Sequence, residues 1–344
     1  MTAQPGRRVV VTGATGNVGT SVVSALADDL RVGSVLGVAR RRPGWSPPGT
    51  EWARADIGKD ADRDLAALFE GADAVVHLAW AFQPTHDPTA TWRTNVLGGM
   101  RVFRAVADAG VPVLVHASSV GAYSPGPKDR PVDESWPTHG WPQAAYSREK
   151  AYLERALDAF ELRHPDIRAV RMRPAFLFKE EAAAEQLRIF AGRLVPGRLA
   201  SPGFVPVVPD LEGLVFQALH TDDAADACRR AVLDDGARGA YNLAADPPLS
   251  AADLAGLLDA RVVRLPRAAV RTALAAAWAL RLVPASPHLF DAFLRVPLMD
   301  CSRARDELGW RPRHTATEAV RALLRGLREG AGMDTAPLHP RGAG

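Results

Sequence analysis

Cysteine is almost missing from this chain: Cys228 and Cys301 are the only two in 344 residues. That excludes a disulfide framework and leaves no cysteine metal spacing, so small buried thiols in a reducing cytoplasm are expected. Long apolar runs are missing as well. The most apolar helical stretch, AVRTALAAAWALRLV, is interrupted by Arg271 and Arg281 and is too short to span a bilayer. Charge of one sign is not concentrated anywhere. The formal net charge is +3, and no basic stripe with interleaved aromatics points to nucleic acid. The opening MTAQPGRR runs straight into an apolar strand, which leaves no room for a secretion signal. His77, His116 and His220 lack a mutual ligand spacing, so core histidines are expected in place of a metal site. No internal repeat is present. The expectation is a soluble cytoplasmic protein with a small-molecule substrate and no metal, membrane or nucleic-acid partner.

Lysine is scarce too: Lys59, Lys128, Lys150 and Lys179 are the four among 42 basic residues, beside four tyrosines. Against that background the run YSREK stands out, because Tyr146 and Lys150 sit four residues apart. On a helix they share one face, with side chains roughly 5–6 Å apart at their bases. Chance would place a tyrosine and a lysine at this spacing only ~0.05 times, the false-positive risk attached to such a motif. A neighbouring ammonium favours the phenolate and brings a phenol towards the range useful for proton transfer.

Continuous apolar runs alternate with helical patterns, which predicts β-α units and a parallel sheet buried on both faces. Strands are expected at Arg8 to Thr12, Val35 to Ala39, Ala74 to Leu78, Val113 to Ala117 and Ala169 to Met172. Helices are expected at Val18 to Asp28, Asp64 to Glu70, Ala90 to Ala109 and Ala145 to Leu162. The alternation defines an α/β fold, a doubly wound (Rossmann) parallel sheet with a smaller, discontinuous C-terminal substrate domain. Residues 1–175 and about 212–247 are assigned to the dinucleotide-binding domain, and about 176–211 and 248–330 to the substrate domain. FQALHTDDAADACRRAV reads as a strand and a helix capped by Asp222 or Asp223, and GAYNLAAD as a further strand. A helical region is expected from about Ser250 to Leu282. The Gly/Ala/Pro-rich residues 331–344 read as a disordered tail.

The glycines of VVVTGATGNVG carry the first chemical signal. Gly13, Gly16 and Gly19 follow an apolar strand and precede an amphipathic helix, the setting in which backbone amides and a helix N-terminus receive a pyrophosphate. Thr15, Asn17 and Val18 complete that loop. A carboxylate at the end of the second strand would accept from a ribose 2′-hydroxyl, whereas arginine suits a 2′-phosphate. Here the strand ends GVARRRP. Arg40 and Arg41 could grip a phosphate, or be surface arginines in an arginine-rich chain; NADP is favoured over NAD. Asp56, with Ile57 in ADI, could hold the adenine amino group or simply cap a turn. Ser118 and Ser119 end the strand VLVHASS at the edge where such sheets bind ligands. A hydroxyl there can stabilise charge on a substrate oxygen, although a strand-ending serine is more often a turn residue.

TGATGNVG, ADI, HLAW, TNVLGG, ASSVGAY, YSREK and RMRPAF, followed by HTDDAADA, YNLAAD and CSRARDELGWRP, together resemble the extended short-chain dehydrogenase/reductases, the NAD(P)-dependent epimerase/dehydratase group. The likeness covers about residues 7 to 328. It implies that Tyr146 is the catalytic acid/base, that Lys150 binds the nicotinamide ribose and lowers the tyrosine pKa, and that Ser119 holds the reacting oxygen. It places Leu78 and Ala79 along the cofactor cleft, Asn95 near the cofactor and Pro174 beside the nicotinamide. It also implies a homodimer through the two long helices. FLFKEE departs from the pattern, with Lys179 where a glycine often stands.

The expected activity is hydride transfer at a secondary alcohol or ketone carbon. The substrate could be a nucleotide sugar, for which Arg193, Arg198, Arg267 and Arg271 are available to hold a diphosphate. The apolar character around Ala273 to Leu282 suits a hydrophobic ketone or alcohol instead. A non-catalytic dinucleotide sensor on the same fold is the remaining alternative; intact Ser119, Tyr146 and Lys150 count against it.

Overall fold

The apolar runs become strands of a seven-stranded parallel sheet, which the polar Thr50–Arg54 completes at one edge, in a computed structural model that describes residues 6–59, 65–83, 85–192 and 204–340. The strands are β1 (Arg7–Thr12), β2 (Val32–Ala39), β3 (Thr50–Arg54), β4 (Ala74–His77), β5 (Val113–Ala117), β6 (Arg168–Pro174) and β7 (Gly239–Leu243). The sheet order is β7-β6-β5-β4-β1-β2-β3, every neighbouring pair parallel. The chain therefore reverses direction of travel between β1 and β4. Such a switch point leaves a crevice beyond the carboxyl ends of the strands. The strands are apolar on both faces because helices cover both: Val9, Val10, Val11, Val75, Val76, Leu114 and Val115 are fully buried.

Four helices frame the crevice: α1 (Asn17–Ala27), α2 (Gly98–Asp108), α3 (Ala145–Arg163) and α4 (Thr221–Leu233). The expected long helix from Ala90 to Ala109 is divided into an α-turn, Pro88–Trp92, a π-helical turn, Arg93–Leu97, and α2. The cap of α4 is a correction. His220, not Asp222 or Asp223, is the N-cap, its Nδ1 accepting from the Asp222 amide. Asp223 is instead buried and accepts from the Arg313 and His314 amides.

Among the described residues a second, smaller sheet lies apart from the seven strands. Val215–His220 pairs with Phe176–Phe178 and Ala245–Ser250 in a three-stranded sheet. The region expected to be helical from Ser250 to Leu282 is broken by a strand, Arg261–Arg264, between helices Ala251–Leu258 and Arg267–Ala279. Lys179 is buried, and its Nζ donates to Thr20 and Ser21 of α1, at 2.6 and 3.2 Å, so it pins the smaller sheet to the larger one's helix.

The expectation of disorder fails over 331–340. Leu338 is fully buried, the Thr335 hydroxyl donates to the Thr15 carbonyl at 2.9 Å, and the Asp334 carbonyl accepts from the Gly44 and Trp45 amides. A glycine-, alanine- and proline-rich composition reads as disorder only until long-range partners supply the contacts. Asp64, Arg193, Arg198 and residues 341–344 lie outside the described residues. Among those described, no helix is long and apolar enough to cross a membrane.

Candidate active site

A cleft of about 960 Å³ opens along the carboxyl edge of the sheet. Its floor is the loop between β1 and α1, where the three glycines have different reasons to be glycine. Gly13 has φ +72°, and a Cβ there would lie 2.6 Å from the Ala79 amide nitrogen. At Gly19 a Cβ would meet the Gly13 carbonyl oxygen at 2.1 Å, so a side chain would push the helix off the loop. Gly16 differs: the nearest atom to a Cβ is 3.6 Å away, which is ordinary contact. The protein's own packing does not require glycine at 16. The space beside it is left open, as it is at the middle glycine of a pyrophosphate loop. Gly16 also caps α1 without any side-chain cap, leaving the amides of the first turn to a ligand.

Along this cleft lie Gly13, Thr15, Gly16, Asn17, Val18, Gly19, Arg40, Arg41, Asp56, Ile57, Leu78, Ala79, Ser118, Ser119, Tyr146, Lys150 and Pro174. The structure thus brings together every catalytic and cofactor-binding residue expected from the sequence except Asn95. Arg40 and Arg41 follow β2, are exposed, and have no ion-pair partner among the described residues. Asp56 accepts from the Gly58 amide at 3.0 Å. Asn95 is fully buried on the π-helical turn behind the cleft wall. Its amide clasps the Ala81 backbone, accepting at 2.7 Å and donating at 2.9 Å, and donates to Glu149 at 2.7 Å. It fixes the segment after β4 and does not line the cleft.

Ser119 and Tyr146 lie side by side at Gly121, where a Cβ would meet the Tyr146 ring at 2.6 Å and the Ser119 Oγ at 3.4 Å, and that Oγ accepts from the Gly121 amide at 3.0 Å. The Ser118 hydroxyl is committed elsewhere, donating to Glu154 at 2.5 Å. Burial favours a protonated Glu154, but the two-pronged grip of Arg173, at 2.9 and 3.0 Å, overrides it and holds the carboxyl below its usual range. This buried network anchors the end of β5 to α3 and so fixes the spacing of Ser119 and Tyr146.

Lys150 lies one turn from Tyr146 on α3 but does not acidify it here. Its Nζ donates to the Ala117 carbonyl at 2.7 Å and sits 3.6 Å from the centre of the Trp80 ring. Burial lowers its pKa to about 7, against the pull of Glu154 and Glu149. Burial raises Tyr146 to about 12, with Ser119 opposing and Glu149 reinforcing the rise. The expectation of a cation-acidified phenol is corrected by this desolvation, which dominates the phenol's surroundings.

Sequence reasoning missed the aromatic collar of the tyrosine. Phe82 stacks on its ring at 5.1 Å, Trp80 meets it edge-on at 5.5 Å, and Phe190 continues the line from Phe82 at 6.0 Å. No local periodicity reports these contacts, although Trp80 stood in the HLAW motif. Ala336 and Pro337 of the C-terminal strap also line the cleft, again without a sequence signal. Arg267 and Arg271 are not in its lining; both are spent on Asp291, at 3.2 and 2.8 Å.

A doubly wound sheet with a glycine loop at its switch point, facing a serine and a tyrosine on the cleft wall, defines a dinucleotide-dependent enzyme. The chain belongs to the NAD dependent epimerase/dehydratase family, whose pattern it matches over residues 9–244. It is 27% identical over 333 residues to a UDP-glucose 4-epimerase of Mycolicibacterium smegmatis, covering 91% of this chain and 96% of that one. It is 28% identical over 365 residues to a dTDP-glucose 4,6-dehydratase of Streptomyces antibioticus, covering 98% and 96%. The structure of the Thermus thermophilus UDP-glucose 4-epimerase in complex with NAD superposes with a TM-score of 0.68 at 20% identity, over 93% of this chain and 99% of that one, a likeness of fold.

Proposed function

We propose that this enzyme carries out NAD(P)-dependent chemistry at a secondary alcohol or ketone carbon, with Tyr146 moving the proton. The observation that carries this is the placement of Ser119 and Tyr146 side by side on the wall of the glycine-loop cleft. A non-catalytic sensor has no use for that pair. When bound, the nicotinamide supplies hydride exchange. Gly13, Thr15, Gly16, Asn17, Val18 and Gly19 would hold the pyrophosphate, Asp56 and Ile57 the adenine end, and Leu78, Ala79, Lys150 and Pro174 the nicotinamide side. Arg40, at the place where a ribose-binding carboxylate would stand, favours NADP over NAD.

With its pKa raised to about 12 by burial, Tyr146 holds its proton at neutral pH. It is in the form that gives a proton to a carbonyl oxygen, while Ser119 steadies that oxygen. Carbonyl reduction would therefore run at neutral pH, and alcohol oxidation would accelerate as the pH rises towards the phenol's pKa. Tyr146→Phe should lower turnover at least about a hundredfold while leaving dinucleotide affinity unchanged. Unchanged turnover in that variant would reject the assignment.

We also propose that residues 176–211 and 248–330 form the substrate side, and that α2 and α3 pair across a homodimer. Leu97, Met100 and Tyr152 are 42%, 37% and 44% exposed on this face. Light scattering should report twice the chain mass; a monomer at micromolar concentration would reject the pairing.

A further inference from the structure

Resting on that hydride-transfer reading, we infer that the substrate is an apolar ketone or secondary alcohol without a phosphate group. Outward from Tyr146 the cleft is lined by Phe82, Phe190, Leu274, Leu289 and Phe290. None of these is buried by the protein itself: Phe82 and Phe190 are 36% and 43% exposed, and the other three are half-buried. Apolar side chains converging around a reactive hydroxyl without covering one another are surface prepared for an apolar ligand.

The charges point the same way. A diphosphate needs cations or unpaired amides to replace its water. Among the described residues lining the cleft, the cations are Arg40, Arg41, Lys150 and Arg188. Arg40 and Arg41 flank β2 on the dinucleotide side. Lys150 is held by Ala117, and Arg188 donates to the Pro337 carbonyl at 2.8 Å. Glu185, on the same helix as Phe190, brings a carboxyl and not a cation to the outer wall. Burial raises that carboxyl to about 7, the response of a group in poorly solvated surroundings. Among the described residues the outer cleft thus holds a single cation, Arg188, already hydrogen-bonded to Pro337, and it offers a continuous surface to a hydrocarbon skeleton.

The test is calorimetric titration of the intact protein, saturated with the dinucleotide it binds, using α-tetralone and α-tetralol in one arm and UDP-glucose and dTDP-glucose in the other. The tetralone pair should bind at least about tenfold more tightly than either sugar nucleotide. Leu289→Arg should remove that binding without changing dinucleotide affinity, and Phe290→Ala should weaken it about tenfold. Tighter binding of a sugar nucleotide, or binding of neither class, overturns the apolar assignment while leaving the hydride-transfer reading standing. Failure of that reading shows separately, as a protein that binds no nicotinamide dinucleotide at all.

Discussion

Tyr146 keeps its proton in this protein because the Trp80 and Phe82 rings crowd water from around the phenol, and the opposing influence of Ser119 cannot offset that loss. The same surroundings act on Lys150 with the opposite sign, lowering it from 10.5 to about 7 by burial. Between those two values the unfolded chain binds a proton that the folded protein does not, so folding becomes more favourable as pH rises through this window. Below pH 7 both states are protonated and the full burial penalty remains. Raising the pH from 7 to 9 should therefore increase the unfolding free energy by on the order of 1–2 kcal/mol from Lys150 alone, and Lys150→Met should reduce the increase to what Lys128, lowered to about 8 by burial, contributes. Urea unfolding of both proteins at the two pH values checks this; parallel pH dependence would contradict it. At this scale the sequence revealed which residues share the site but not their protonation. Spacing puts Tyr146 and Lys150 on one face, whereas their pKa values follow from Trp80, Phe82 and the Ala117 carbonyl, which other segments supply.

Elements were legible where burial is complete and local. β1, β4, β5 and β6 are buried nearly end to end, and such runs announce themselves as apolar stretches. Arg261–Arg264 was not legible: all four residues are exposed and it lies between two helical patterns. The π-helical turn was hidden because its sequence continues an ordinary helical period. The C-terminal strap was misread for a different reason. Its hydrogen bonds reach Thr15, Gly44 and Trp45, across most of the chain length. By joining the glycine loop to the loop after β2, the strap ties together two segments that would grip a dinucleotide. Ending the chain after Ala331 should speed dinucleotide release about tenfold, since the lost contacts affect the dissociation rate first. Stopped-flow displacement measures this directly; an unchanged rate would mean that the strap only packs.

For the whole molecule, the switch between β1 and β4 determines where every other feature matters. It aligns the glycine loop, the end of β2 and the end of β5 along one crevice, so residues from 13 to 337 meet in a single cleft. The doubly wound order follows from the β-α alternation in the sequence, but the polarity of the substrate side does not. Arg267 and Arg271 count as candidate phosphate ligands until the fold commits them to Asp291. The proposed chemistry depends on this crevice accepting a nicotinamide dinucleotide across Gly16. Calorimetric titration of the unmodified protein with NAD, NADH, NADP and NADPH tests it most directly. Saturable one-to-one binding, tighter for the phosphorylated pair and weakened by Gly16→Ala without loss of thermal stability, is the predicted result. No heat of binding from any of the four would contradict it.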